Sequence, residues 1–301
     1  MLIQKLVSKS RSLLSNHRAS IKIVPSLQPL ECGKKITEAL RAKKPYLVAR
    51  IGWMEGYAIG KLLAEGKTPL ELREKLALHA GIFPSTPEQL QLFADAYLEA
   101  IEEVDILGLM EAPYHGWIIK SHAKHAALAE LKSLEPYFLE EPWSWELRGL
   151  RVLVVHPFEK SIVNQYKTVR EHIFKNQKML PLFELKVIQA PQTITGNIRK
   201  YTSWSETLHA LEEQVKCEHF DVALIGCGAY GLPLAATIKK MGKIALHLGG
   251  ATQLLFGIRG KRWAEHSSFL RYRSIMTEAW TSPLESERPI GWEKIEEGCY
   301  W

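Results

Sequence analysis

The stretch FDVALIGCGAYGLPLAATIKKMGKIALHLGG, Phe220 to Gly250, decides the fold. Val222 to Ile225 is a continuous apolar run, the pattern of a strand buried on both faces. It leads into Gly226-Cys-Gly228-Ala-Tyr-Gly231, which has the spacing G-x-G-x-x-G. A helix with Pro233 near its first turn follows and runs through Lys240. A second apolar strand, KIALHLGG, closes the unit. Strand, turn, helix and strand in this order are the repeating element of a parallel sheet.

The same alternation extends outward. YLVARIG (46–52), VDILGL (104–109), RVLVV (151–155) and FELKVIQAP (183–191) read as buried strands. MEGYAIGKLLAEG, IVNQYKTVREHIF and WSETLHALEEQVK carry apolar residues at helical spacing. HGWIIKSHAKHAALAELK reads as one long helix, and HPFEKS as a loop with Ser161 as the helix N-cap. The expected fold is α/β: a Rossmann-like, mostly parallel sheet with helices on both faces. Residues 1–24 read as a basic amphipathic segment, suited to docking on the protein itself, on another subunit or on an anionic membrane surface. Residues 25–301 read as one α/β domain, with a seam near 135–150 where Pro and Trp cluster.

At 46% apolar and 24% charged residues, the 301-residue chain has the composition of a globular protein. No apolar run approaches the ~18 residues of a membrane span, and the N-terminus lacks a signal-peptide pattern. Four scattered cysteines without C-x-x-C spacing fit a reducing compartment. The expected location is the cytoplasm, including the inner face of the membrane, with oligomerisation left open.

No Asp or Glu occurs from Val222 to Ala264, a segment that carries Lys239, Lys240, Lys243, Arg259, Lys261 and Arg262. These six account for the whole formal net charge of +6. Such a segment attracts an anionic ligand, or is a solvated basic face. No nucleic-acid partner is expected.

The glycine turn suits a phosphate, because a helix N-terminus offers unpaired N–H groups and a partial positive charge. A dinucleotide site also needs an acid about 20 residues further on to hold the ribose. Here that region reads ALHLGGATQ, so neither NAD nor FAD is expected; a purely structural turn stays open. Polar residues at the other strand ends are the remaining candidates, since open parallel sheets bind ligands there. ARIGWMEG offers Arg50, Gly52 and Glu55: Arg50 as a phosphate or carboxylate partner, Glu55 as a base, a ribose contact or a metal ligand. Glu55 also fits a plain first-turn acid. HPFEKS offers His156 as a general base and Glu159, Lys160 and Ser161 as phosphate or acceptor contacts. Gly226, Gly228, Tyr230 and Gly231 form the glycine turn, and His247, Gly249, Gly250 and Gln253 form the turn after the last strand.

Arg50-Ile51-Gly52-Trp53-Met54-Glu55 resembles the R-[FI]-G-D-G-E signature of the GT-D-fold glycosyltransferases, bacterial sugar transferases of surface-glycan and glycoprotein assembly. The late GCGAYGLPLAATIKKMGKIALHLGG and the central RGLRVLVVHPFEKSIVNQYKTVREHIF are also similar to that family, in the same order. The resemblance implies a hexosyltransferase-class enzyme of polysaccharide biosynthesis. It would use a nucleoside diphosphate sugar as donor and a glycan or glycoprotein as acceptor. It also implies an Mn²⁺ or Mg²⁺ ion held by a D-x-E pair. Trp53 replaces the Asp and only Glu55 is kept, and one carboxylate is a poor site for such an ion. Basic residues of the acid-free segment could then neutralise the diphosphate instead. Two rival readings are a non-catalytic nucleotide-sugar binder of the same fold and, on the glycine spacing alone, a nicotinamide oxidoreductase.

Overall fold

The computed structural model describes residues 14–194 and 200–301. Among them are seven strands: β1 (Tyr46–Arg50), β2 (Ile106–Leu109), β3 (Ala127–Glu130), β4 (Arg151–His156), β5 (Glu184–Gln189), β6 (Val222–Ile225) and β7 (Ile244–His247). They form one sheet in the order β3-β2-β1-β7-β6-β4-β5, and every pairing is parallel. The expected α/β class is what is found.

Alternate residues of each strand feed two separate cores, as the two-residue period of a pleated strand requires. Leu47, Ala49, Leu153, Val155, Ala223, Ile225 and Ala245 face one layer. Val48, Val152, Val154, Val222, Leu224, Ile244 and Leu246 face the other. The second layer contains α1 (Pro29–Ala42), through Cys32, Ile36 and Leu40, and α6 (Glu159–Ile173), through Ile162, Tyr166 and Ile173. The first contains α2 (Trp53–Glu65), α3 (Leu70–His79), α4 (Pro87–Glu102), α5 (His115–His122), α7 (Trp204–Lys216) and α8 (Gly231–Lys240). Strands covered on both faces explain the unbroken apolar runs in the sequence.

Two expectations are corrected here. HAKHAALAELK is not the end of a helix: α5 stops at His122, and Ala127–Glu130 is the edge strand β3. Its alanines favour a helix, but pairing of Ala127 with Ile106 and Ala129 with Gly108 overrides that weak preference. Ser26 and Leu27 cover its outer edge, both donating to the Leu128 carbonyl at 2.8 and 2.9 Å. Nor do the cations of the acid-free segment form one anion-facing surface. Lys239 and Lys240 lie at the amino end of the sheet, paired with Asp105 at 2.9 Å and Glu103 at 3.6 Å.

The chain lays down β1 to β3 outward on one side, crosses to β4 and β5, then inserts β6 and β7 between β4 and β1. Connections therefore leave the middle of the sheet in opposite directions, which opens a crevice at the carboxyl ends. The 135–150 connection packs against the sheet as 3₁₀ turns. Trp143 is fully buried and donates its indole N–H to the Leu134 carbonyl at 3.0 Å. Residues 1–13 of the amphipathic N-terminal segment lie outside the described residues. Of the rest, Ser15 hydrogen-bonds the Tyr114 hydroxyl at 2.8 Å, and the Arg18 guanidinium lies 4.3 Å from the Trp117 ring centre. Among the described residues no helix is long and apolar enough to cross a membrane.

Candidate functional site

A cavity of about 450 Å³ sits at the carboxyl ends of the strands, and the turn after each of the seven contributes to its wall. Of the residues marked from sequence, Arg50, Gly52, Glu55, His156, Gly226, Gly228, Tyr230, His247, Gly249, Gly250 and Gln253 line it. Glu159, Lys160, Ser161 and Gly231 do not.

Arg50, the last residue of β1, points its guanidinium across the mouth of β7. One Nη lies 2.8 Å from where a side chain on Gly249 would begin, and the φ of +60 at Gly249 favours glycine there. Its contacts are weak: the Ile51 carbonyl at 3.4 Å and the Met110 sulfur at 3.8 Å. Its Nε is buried without a partner. Among the described residues no carboxylate forms an ion pair with it. A partly buried cation so poorly matched leaves hydrogen-bonding capacity that an anion could take up.

Glu55 lies in the first turn of α2, with Gly52 as the N-cap. Its carboxylate folds back over Gly52, reaching 2.1 Å from where a Cβ would stand. Burial pushes its carboxyl up, opposed by a hydrogen bond to its own backbone N–H and by the Arg50 charge. The Gly52 N–H donates to the Tyr97 hydroxyl at 3.1 Å, which brings a fully buried phenol beside Glu55. Trp53, at the position of the missing acid, is 43% exposed and stacks on Tyr57 at 5.6 Å.

The β4 turn differs from expectation in two respects. The Phe158 N–H donates to His156 Nδ1 at 3.1 Å, so this ring presents an N–H at Nε2 rather than a basic lone pair. Burial also drives its pKa down to about 3. The general-base role therefore does not fit His156. Ser161 is not the N-cap: α6 begins at Glu159, and Phe158 occupies the cap position without a side-chain bond. The donors of this first turn are satisfied by Glu287 from the C-terminal segment, which accepts from Lys160 N at 2.7 Å, Ser161 N at 3.2 Å and the Ser161 hydroxyl. The protein thus supplies its own anion at the helix end where a phosphate was expected.

In the glycine turn, each residue answers a steric demand. A side chain on Gly226 would strike His156 at 2.6 Å and the Gly249 carbonyl at 2.7 Å. Gly228 has φ +59 and opens onto the cavity. Gly231 seats the His247 ring, whose Cε1 comes within 2.2 Å of a would-be Cβ. His247 Nδ1 faces the Ile225 carbonyl at 3.3 Å, and burial lowers its pKa to about 3, with Arg50 adding to the effect. Tyr230 hydrogen-bonds Thr193 at 2.7 Å and stacks on Trp204. Gln253 is a strut: its amide donates to the carbonyls of Ile258 and Tyr300 at 3.2 and 3.1 Å.

The sequence reading missed two components. One is most of the C-terminal aromatic wall: Trp263 is among the tryptophans whose residue type suits stacking on a sugar or base, but Phe269, Tyr300 and Trp301 carry no such mark in the sequence. Of the acid-free segment's six cations, only Arg262 reaches the cavity, beside that wall. The other is Glu135, an acid between two 3₁₀ turns in the Pro- and Trp-rich connection. Nothing in LKSLEPYF marks it beyond a charge among apolar neighbours.

An Mn²⁺ or Mg²⁺ ion does not fit these residues well. Glu55 is the sole carboxylate of its motif and is turned onto its own helix. Among the described residues no group of three His, Cys, Asp or Glu side chains is arranged around a common point for a metal.

A model of the GT-D fold-like domain matches residues 145–255, which span β4 to β7 and the turns that follow them. Two solved structures of a domain of unknown function numbered 1792 align over 92% of this chain and 96% of theirs, at 14% identity. The TM-scores are 0.44 for a selenomethionine-substituted structure and 0.40 for one described as having a distinct glycosyltransferase fold. Superpositions this loose transfer no residue roles. Among curated proteins none matches the chain.

Proposed function

We propose that the protein transfers a sugar from a nucleoside diphosphate sugar to a glycan or glycoprotein acceptor, with the donor lying across the carboxyl ends of the strands. The observation that carries this reading is Arg50, a partly buried cation with no carboxylate partner among the described residues and an unpaired Nε, beside Gly249 in a cavity that Gly52, Gly226 and Gly228 also line. Charge on the departing diphosphate is the main electrostatic demand of such a transfer, and a preorganised guanidinium answers it. Glu55 and Tyr97, which both line the cavity, would orient donor hydroxyls. The GT-D fold-like match over 145–255 supports the same class.

A thermal-shift screen with UDP-, GDP-, dTDP- and CMP-sugars, with and without Mn²⁺, tests the reading, because a ligand that binds the native state raises its apparent stability. One sugar nucleotide should raise the melting temperature, and Arg50→Gln should weaken its binding by roughly 30-fold or more, the usual scale for losing a buried charge-assisted contact. Binding that survives chelation supports Arg50 in place of a cation; strict dependence on Mn²⁺ overturns that assignment. No shift with any of them would favour a non-catalytic assembly partner, a second reading motivated by Trp53 in the acid's place. Glu55→Gln separates the two: an enzyme loses turnover while keeping its fold, whereas a binder keeps its partner.

A further inference from the structure

Glu135 is a buried acid in the wall of the cavity that the proposed donor site leaves unused. It is 8% exposed and lies between the 3₁₀ turns Leu131–Leu134 and Pro136–Phe138. Its Oε2 accepts a 2.6 Å hydrogen bond from the Tyr272 hydroxyl. Among the described residues no group bonds Oε1. Tyr272 is fixed in turn by ring contacts with Phe138 at 5.2 Å and Tyr137 at 6.4 Å. One carboxylate oxygen is thus held and the other is without a partner among the described residues, in a residue that lines the cavity.

Tyr272 is also the first ring of a continuous row. Phe269 follows at 6.0 Å, Trp263 at 6.5 Å, Tyr300 at 6.0 Å and Trp301 at 5.9 Å, and the last four line the cavity. Flat aromatic faces bordering a carboxylate suit a sugar ring, apolar on its C–H face and hydroxylated at its edge.

Other candidates for proton transfer are weaker. Glu55 is turned onto its own helix, and His156 presents an N–H. His247 is a poor base, with its pKa lowered to about 3.

We propose that Glu135 is the general base of the transfer and that the row from Phe269 to Trp301 holds the acceptor, a carbohydrate hydroxyl. This rests on the sugar-transfer reading above. The Glu135 carboxylate takes the proton of the acceptor hydroxyl as the acceptor oxygen forms its bond to the anomeric carbon. The bond from that carbon to the diphosphate oxygen breaks, and its electron pair leaves with the phosphate toward Arg50. The base and Arg50 act on opposite partners of a single displacement, so the anomeric configuration inverts. Burial raises the Glu135 carboxyl to about 7, opposed by the Tyr272 hydrogen bond and by the charges of Arg271, Lys132 and Arg50. A base matched to neutral pH is the effective kind. Tyr272 is its positioning residue.

The experiment uses the full chain with UDP-glucose, GDP-mannose and dTDP-glucose. It measures release of the nucleoside diphosphate against pH, and binding of UDP, GDP and dTDP by calorimetry. Glu135→Gln should bind the diphosphate within threefold of wild type, while release falls at least 100-fold and the limb near pH 7 disappears. Tyr272→Phe should retain activity but move that limb to higher pH, which a merely structural contact would not do. Circular dichroism and melting temperature verify that both variants are folded. Release within threefold of wild type in Glu135→Gln, with the limb unchanged, overturns the base assignment and leaves sugar transfer standing. Wild-type protein that neither binds nor releases any of the three overturns both. Retention of configuration in the product overturns the single displacement.

Discussion

The two ends of the sheet treat charge in opposite ways. At the amino end Arg151 and Lys239 each meet an acid. Arg151 holds Asp221 through two side-chain hydrogen bonds at 2.6 and 3.1 Å, and the Arg151 N–H adds a third at 2.9 Å. Lys239 reaches both Asp105 and the Glu103 carbonyl. At the carboxyl end, among the described residues, Arg50 has only a distant carbonyl and a sulfur, and Glu135 has one bound oxygen. Satisfied pairs hold strands in place; groups left unsatisfied in a cavity are where a ligand completes the bonding. The difference lies between charge satisfied at one end and charge left open to a ligand at the other, within one fold.

Acid gives the largest test of that contrast. His115, His156 and His247 are all buried near the carboxyl end, with pKa values pushed down by burial to about 4, 3 and 3. A histidine whose folded value lies below its unfolded value of about 6.5 adds stability that is present above pH 6.5 and is lost as pH falls toward the folded value. Each costs roughly 2 kcal/mol by pH 5. Glu135 acts in the opposite sense: its raised carboxyl favours the folded state below the unfolded value and loses that contribution as pH rises through about 7. It offsets about one histidine, and Glu55, also raised by burial, acts in the same sense, so the net fall from pH 7 to pH 5 is at most roughly 4 kcal/mol. Asp221 is lowered to about 2 by its Arg151 hydrogen bond, so its contribution is present above the usual carboxylate range and is lost as pH falls from that range through about 2. Urea melts at the two pH values measure the fall, and hydrogen exchange should show the turns after β4 and β7 opening before the Arg151–Asp221 region. A flat profile would break the comparison.

Packing gives a smaller test. Gly231→Ala places a methyl 2.2 Å from the His247 ring, which cannot retreat without leaving the Ile225 carbonyl. The cost of forcing extra volume into such a site is about 1–3 kcal/mol, less the benefit of alanine in a helix of up to about 1 kcal/mol. A melting temperature at or above wild type would show that His247 is not held as tightly as its contacts imply.

Much of this architecture was legible in the sequence, and the exceptions have causes. Buried parallel strands write themselves as unbroken apolar runs, so six of the seven were plain. β3 was not, because ALAE is stabilised as a strand only by its neighbours. Strand-end residues such as Arg50 and Gly226 followed from the rule that ligands meet carboxyl ends. Glu135, Glu287 and the aromatic wall come from segments outside the strand-to-helix units, and no local pattern says where such segments return. The charge count misled for a related reason: one acid-free segment visits both ends of the sheet, and sequence proximity does not distinguish them.

The smallest expected effect is also the one that isolates the two ends from each other. Lys239→Met removes a cation that the sequence placed among the anion-attracting residues and the fold places 2.9 Å from Asp105. The Asp105 carboxylate keeps the Leu47 N–H, which donates to Oδ2 at 2.7 Å. Only the ion pair and the Glu103 carbonyl contact are lost, and the pair is one-fifth to one-third exposed at its side chains. Exposed pairs of this kind are worth about 0.2–1 kcal/mol, less at high salt. Chemical unfolding should register a loss of that size, and sugar-nucleotide affinity should stay within twofold of wild type. A larger fall in affinity than in stability would mean that charge at the amino end reaches the cavity after all. The division between a structural and a functional end would then have to be redrawn as a single field.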